Sequence, residues 1–297
     1  MVNYVLRRNR REQIEPKPAE PDRAALLERV ARHAADVEEQ ERHVRDALRE
    51  QEEAAQTNAW DQLPTIPVDE RLMDENLIIT ATRHDPAHAT FDVLRTRLVQ
   101  TLSEKGWRRV AITSPTSNCG KSFVATNLAI TLSRYDNCRT VLMDMDMRAP
   151  SLAGLLGVED AGSMGAYLRG ERDLKDQFRR FGPNHLKIGN TLAIGLNDKI
   201  EPYAAELLQQ ANTRDRIEDM EAQLSPDIVL YDLPPALVQD DVIAFRNMFD
   251  GVLIVAGGGQ TKSSEITEVM HRLGEETPLL GVILNRAEGA PHEEYGY

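Results

Sequence analysis

The chain has 297 residues, 41% of them hydrophobic, and sets 35 Lys plus Arg against 48 Asp plus Glu for a formal net charge of −13. That is enough apolar material for one large α/β domain with an appendage, and the negative balance argues against a nucleic-acid binder, which needs a basic face against phosphate. Its two cysteines, Cys119 and Cys138, are too few for a disulfide framework and point to a reducing cytoplasm.

No uncharged apolar run nears the roughly 18 residues of a membrane span, and the start, M-V-N-Y-V-L-R-R-N-R-R, lacks a signal peptide's apolar segment, so the chain by itself is expected to be soluble. Residues 1–70 differ in composition from the rest, rich in Glu, Arg, Gln and Ala, with Pro16, Pro18 and Pro21. After Pro21, Leu27, Val30, Ala34, Val37, Val44 and Leu48 fall on a three-and-four spacing that Glu41 interrupts, which predicts one long amphipathic helix. Three uses stay open: pairing as a coiled coil, lying on a partner, or standing solvated. Arg7, Arg8, Arg10 and Arg11 suit an anionic membrane surface or a solvated tail. Trp60 to Pro67, with Pro64 and Pro67, reads as a linker.

Residues 71–286 carry the folded-domain pattern. From Pro86, A-H-A-T-F-D-V-L-R-T-R-L-V-Q-T-L puts Phe91, Leu94, Leu98 and Leu102 on one helical face. Val110 to Thr113 is a short strand-like run, S-P-T-S-N-C-G-K-S follows, and Phe123, Val124, Leu128 and Leu132 then return at helical spacing. Strand, loop, helix is the setting a phosphate loop needs, because unpaired N–H groups and the dipole at a helix N-terminus stabilise polyphosphate. Against G-x-x-x-x-G-K-[ST], Gly120, Lys121 and Ser122 fit, while Pro115 stands at the first glycine. On that pattern Lys121 reaches the β/γ-phosphates and Ser122 binds Mg²⁺; the alternative is an ordinary turn with a chance G-K-S.

Two more runs weigh against chance. T-V-L-M-D-M-D-M-R-A-P (Thr140 to Pro150) and D-I-V-L-Y-D-L-P-P (Asp227 to Pro235) are apolar strands that break into aspartates. In an open α/β sheet ligands collect at the carboxyl ends of strands, so three strands finishing this way belong to one site; helix capping or surface exposure is the bland alternative for Asp144, Asp146 and Asp232. Further on come short helices and turns over Ser151 to Gly170, a strand within Leu186 to Leu196, and a helix from Glu201 to Leu224 entered through Pro202. A helix Gln239 to Met248, a strand Gly251 to Ala256, a Gly257-Gly258-Gly259 turn, a helix Ser263 to Leu273 and a strand Leu280 to Asn285 complete the domain. Alternating strands and helices predict an α/β fold, a mostly parallel doubly wound sheet of the P-loop NTPase type with a charged helical extension. Residues 287–297, A-E-G-A-P-H-E-E-Y-G-Y, read as a mobile tail.

With those residues assembled, Pro86 to Tyr297 resembles the cytoplasmic kinase domain of the bacterial tyrosine kinases (BY-kinases) that regulate capsule and exopolysaccharide synthesis. The resemblance rests on S-P-T-S-N-C-G-K-S as Walker A, V-L-M-D-M-D-M-R-A-P-S-L as Walker A′, D-I-V-L-Y-D-L-P-P as Walker B, F-D-V-L-R-T-R-L, I-E-P-Y-A-A-E-L-L and the C-terminal tyrosines. Related partition and cell-division ATPases carry a signature lysine where this chain has Thr116, which favours the kinase branch. The resemblance implies ATP and Mg²⁺, with Lys121 neutralising β/γ-phosphate charge, Ser122 on the metal, Asp146 and Asp232 completing its shell through water, and Asp144 accepting the tyrosine proton. It places Ser117, Asn118, Cys119, Gly120 and Phe123 around the nucleotide, Arg148 on a carboxylate or phosphate, and Asn285 at the base pocket. Tyr295 and Tyr297 become the phosphoacceptors, and eleven residues from Ala287, spanning up to about 36 Å, reach a neighbouring subunit.

The departures carry expectations too. Asn118 stands where the family has glycine and is strained if its φ is positive. Ala89 and Asp92 replace a Glu and an Arg used in ring assembly, leaving Arg95. The membrane-spanning domain that relatives fuse ahead of the kinase is replaced by the charged helix, which implies a separate membrane-spanning chain-length or co-polymerase partner, a peripheral position at the inner membrane face, and homo-oligomers as an option. Cys119 suits either a redox switch or a small residue tolerated beside glycine. The resemblance therefore implies a protein tyrosine autokinase; the alternatives are a catalytically weak nucleotide-binding scaffold and a partition-type ATPase switch.

Overall fold

The computed structural model describes residues 38–48, 51, 59–82, 87–135 and 137–287. The chain divides into two compact units, Met1–Ala54 and Ala55–Tyr297. In the first, residues 38–48 are helical and exposed, Val44 and Leu48 included. The rest of the predicted stripe, Leu27 to Val37, lies outside the described residues, as do Arg7 to Arg11, Tyr295 and Tyr297.

The second unit is built on eight strands: β1 (Thr65–Ile66), β2 (Arg109–Thr113), β3 (Thr140–Asp144), β4 (Phe178–Phe181), β5 (Leu192–Gly195), β6 (Ile228–Asp232), β7 (Gly251–Gly257) and β8 (Leu279–Asn285). They form one sheet in the order β1-β4-β5-β3-β6-β2-β7-β8. Every pairing is parallel except β4 with β5. The central strands β3, β6, β2 and β7 are buried along almost their whole length, which is why they read as unbroken apolar runs: both faces are covered.

Four longer helices do most of the covering: α1 (His88–Lys105), α2 (Lys121–Leu132), α3 (Ala211–Leu224) and α4 (Ser263–Leu273). On one face Ala111, Val141, Tyr231 and Ile254 pack with Ile217 and Met220 of α3 and Val269 of α4. On the other, Ile112, Leu142, Leu230 and Val255 pack with Val124 and Leu128 of α2 and Leu98 and Leu102 of α1. Ten of the 12 residues of α2 are buried, because α1 and the segment at 77–80 cover the side turned from the sheet. The buried Asn127 amide fixes that segment, accepting from the Thr80 N–H at 3.0 Å and donating to Leu77 O at 3.2 Å and Phe123 O at 3.0 Å.

Several sequence expectations change. Trp60 to Pro67 is not a linker: Trp60, Leu63 and Ile66 are buried, the indole N–H donates to Leu224 O, and Thr65–Ile66 adds an edge strand to β4. Pro64 and Pro67 flank that short strand, and the compact unit begins near Ala55 rather than at residue 71. The helix expected over Glu201 to Leu224 is two helices, Ala204–Leu208 and α3, because Gln210 is extended (φ −72, ψ 145). Likewise Gln239 to Met248 contracts to Asp241–Ala244 and a 3₁₀ turn, Arg246–Met248. β4 was not expected at all. Its F-R-R-F sequence lacks period-two alternation, yet Phe178 and Phe181 point to opposite faces of a sheet buried on both sides, so each finds a core.

Candidate active site

Three carboxyl-end strand tips converge. β2 leads into the 114–120 loop and α2, while β3 and β6 run side by side with Asp144 in register with Asp232. The loop is shaped by two left-handed residues, Asn118 (φ +66) and Gly120 (φ +90). Asn285, at the end of β8, donates its amide to Cys119 O at 2.9 Å and packs against the Gly120 Cα, where a side chain has no room.

Lys121 Nζ lies 2.7 Å from Asp146 Oδ2 and 3.9 Å from Asp232 Oδ1. Burial works against its ammonium form, but the Asp232 and Asp146 carboxylates outweigh it and hold the pKa above the usual lysine value. Asp144 is fully buried; its Oδ2 accepts from the Ser151 and Leu152 N–H groups at 3.2 and 3.1 Å, and its Oδ1 has no hydrogen-bond partner. Neither oxygen of Asp232 has one either. Burial, with Asp232 alongside, pushes the Asp144 carboxyl well above the ordinary carboxylate range, and burial also raises Asp232. The Ser151 hydroxyl donates to Ser122 Oγ at 2.8 Å.

Above these groups opens a cavity of about 480 Å³. Ser117, Asn118, Gly120, Lys121, Ser122, Phe123, Asp146 and Arg148 line it. Asp144 and Asp232 lie beneath it, not on its wall. Cys119 is buried with its Sγ 3.3 Å from Thr116 O and 3.5 Å from Thr261 Oγ1, so it and Asn285 hold the loop from behind instead of facing the cavity. Arg148 is committed to the buried Asp241, with Nε and Nη2 each 2.9 Å from a carboxylate oxygen. It pairs with none of the three site aspartates. Ser151, Pro234, Pro235, Val238 and Arg286 are also part of the wall and were not singled out from the sequence. Pro234 and Pro235 stand inside a quoted motif, and Arg286 adjoins Asn285; no spacing rule marked them.

The donor set is all oxygen: one hydroxyl and carboxylates with unclaimed lone pairs. Among the described residues no three His, Cys, Asp or Glu side chains form a closed metal cage. Such a site suits a hard divalent cation that keeps water and shares substrate phosphate oxygens. The lysine, the N-terminus of α2 and the left-handed loop add a cradle for phosphate.

Residues 110–296 match the CobQ/CobB/MinD/ParA nucleotide binding domain, and the chain belongs to that family of nucleotide-binding proteins. Within it, the chain groups with the bacterial tyrosine kinases. It is 26% identical over 226 residues to tyrosine-protein kinase YwqD of Bacillus subtilis (strain 168), covering 76% of this chain and 92% of that one. Against tyrosine-protein kinase etk of Escherichia coli (strain K12) it is 26% identical over 254 residues, 78% of this chain but 34% of that protein, so it spans about a third of that relative. The solved kinase domain of Escherichia coli ETK superposes with a TM-score of 0.64 at 25% identity, covering 74% of this chain and 84% of that one.

Proposed function

We propose that the chain is an ATP-dependent protein tyrosine kinase that modifies its own C-terminal tyrosines, Tyr295 and Tyr297, and thereby regulates polymerisation or export of an exopolysaccharide or capsule. The observation that carries the reading is that Lys121 and Asp146 pair on the cavity wall while Asp144 and Asp232, in register on β3 and β6, lie buried close by with carboxylate oxygens left unclaimed. Ser122, Asp146 and Asp232 fit Mg²⁺, which when bound neutralises phosphate charge. Lys121 exchanges its contact with Asp146 for the β/γ-phosphates and stays charged throughout, as its raised pKa supports.

The reaction forms a bond from the tyrosine phenol oxygen to the γ-phosphorus and breaks the bond to the ADP oxygen. The phenolic proton passes to the free Oδ1 of Asp144, whose burial makes it a better base than an exposed aspartate. Positioning and charge carry most of such a transfer, since its transition state is loose.

A separate membrane-spanning co-polymerase that brings the chain to the inner membrane face belongs to this reading; among the described residues no helix is long and apolar enough to cross a membrane. Purified protein with Mg²⁺ and ATP, alone and with that partner, is expected to gain phosphate on Tyr295 or Tyr297 by mass mapping. Lys121→Met is expected to lower the rate at least about a hundredfold. Unmodified tyrosines in the wild type overturn the reading.

A further inference from the structure

A second cavity, of about 470 Å³, opens where the short helix Leu174–Gln177 meets β4, and it shares no lining residue with the nucleotide site. Arg172, Lys175 and Arg179 line it, with Glu171, Asp173 and Asp176. Arg172 Nη2 donates to Asp176 O at 2.7 Å, and Arg179 Nη1 donates to the same oxygen at 2.8 Å. The two guanidinium nitrogens are thus no farther apart than those two bonds laid end to end. One arginine is enough to cap a carbonyl at the end of a helix; a second on the same oxygen adds like-charge repulsion. Burial first, and Arg172 next, hold the Arg179 guanidinium below the usual arginine pKa, against an opposite pull from Asp176.

Ion pairing does not account for this arrangement. Glu171 is bound to Arg169, and among the described residues no carboxylate forms an ion pair with Arg172, Lys175 or Arg179. Arg172 Nε is buried with no acceptor, so the group is held with donor capacity unused. Its surroundings fix it there: Arg172 O accepts from Arg216 Nη2 at 3.0 Å, and the Arg172 guanidinium lies against the Gly162 Cα (φ +93), on ground that a Cβ would fill. Two cations kept together without a counter-charge are a preformed site for an anion.

We propose that this second cavity binds a phosphate monoester or inorganic phosphate dianion, with Arg172 and Arg179 as the clamp and Lys175 as the third cation. A phosphate dianion brings two charges to two guanidiniums, where a carboxylate brings one, and the planar fork of each arginine suits phosphate geometry. Asp173 and Asp176 on the same wall repel an extended polyanion, so a compact group is favoured. The proposal goes beyond the kinase reading and does not depend on it. The same chemistry comes as free phosphate or on a phosphorylated side chain, and the test separates the two.

The full chain, saturated with MgADP so that the nucleotide site is filled, is titrated with inorganic phosphate, phenyl phosphate or acetate while the arginine Nε–H signals are followed by NMR. Single substitutions such as Arg179→Gln assign the signals. Saturable shifts are expected at Arg172 and Arg179 with either phosphate, and acetate is expected to bind at least about tenfold more weakly. Phenyl phosphate binding several-fold more tightly than inorganic phosphate identifies an esterified ligand; equal affinity identifies the free anion. Arg179→Gln is expected to weaken binding at least about tenfold, read at Arg172. Lys175→Gln, at an exposed position where a substitution leaves the fold intact, is expected to weaken it about threefold. Shifts confined to Arg148 and Arg286 at the nucleotide cavity, no saturation at Arg172 and Arg179, acetate equal to phosphate, or unchanged affinity in both variants overturns the proposal.

Discussion

Gly120 is where one added methyl group does the most damage. Its φ of +90 is a conformation only glycine enters freely, and a Cβ there lands 2.1 Å from the Asn285 amide nitrogen that holds Cys119 O. Gly120→Ala therefore costs both backbone strain and the loop's anchor, about 2–4 kcal/mol by chemical denaturation. In Asn285→Ala with Gly120→Ala the clash is gone, so the double variant is expected to lose less than the sum of the singles. Asn118 is the milder case. Its φ of +66 is the strain that the family's glycine avoids, but asparagine tolerates the left-handed region, and Asn118→Val is expected to cost about 1–2 kcal/mol more. At this scale the sequence marks residues tied to a motif by fixed offset, such as Lys121 and Asp146. It is silent on Ser151 and Arg286, which reach the cavity through turns whose geometry no offset encodes.

Among the elements, α3 shows how a helix is keyed to a strand start. Glu221 is buried and receives Arg109 Nε at 2.6 Å, Arg109 Nη2 at 2.7 Å and Arg108 Nη2 at 2.8 Å. The fork around Glu221 holds the Arg109 guanidinium more firmly charged than usual. Glu221→Ala leaves that cation partly buried without its partner, and is expected to destabilise the protein by about 3 kcal/mol in a denaturant titration. Strands β2, β3, β6 and β7 were legible because a strand covered on both faces has to be continuously apolar. β1 and β4 were not, since two-residue and F-R-R-F segments become strands only when a neighbour pairs with them. The same holds for Trp60, Leu63 and Ile66, whose burial turns an expected linker into part of the core.

Taken as a whole molecule, the fold spends stability on its site. Asp144 and Asp232 are buried side by side on adjacent strands, three of their four oxygens have no hydrogen-bond partner, and the carboxyl of Asp144 is raised well above its ordinary value. A carboxyl whose folded pKa is raised binds its proton more tightly in the folded state than in the unfolded one. Its effect on stability is therefore nil below the unfolded value near 3.9, and as pH rises from there toward the folded pKa the protein loses stability. Asp144→Asn keeps a carbonyl oxygen for the Ser151 and Leu152 N–H groups and replaces a like charge beside Asp232 with a neutral amide. The ligand-free variant is thus expected to be more stable than wild type by about 1–2 kcal/mol at neutral pH, with the gain shrinking toward pH 4, while tyrosine phosphorylation is lost. Thermal denaturation of both proteins across that range checks it: a pH-independent difference, or a less stable variant at neutral pH, means that the carboxylates are not strained in the ligand-free fold.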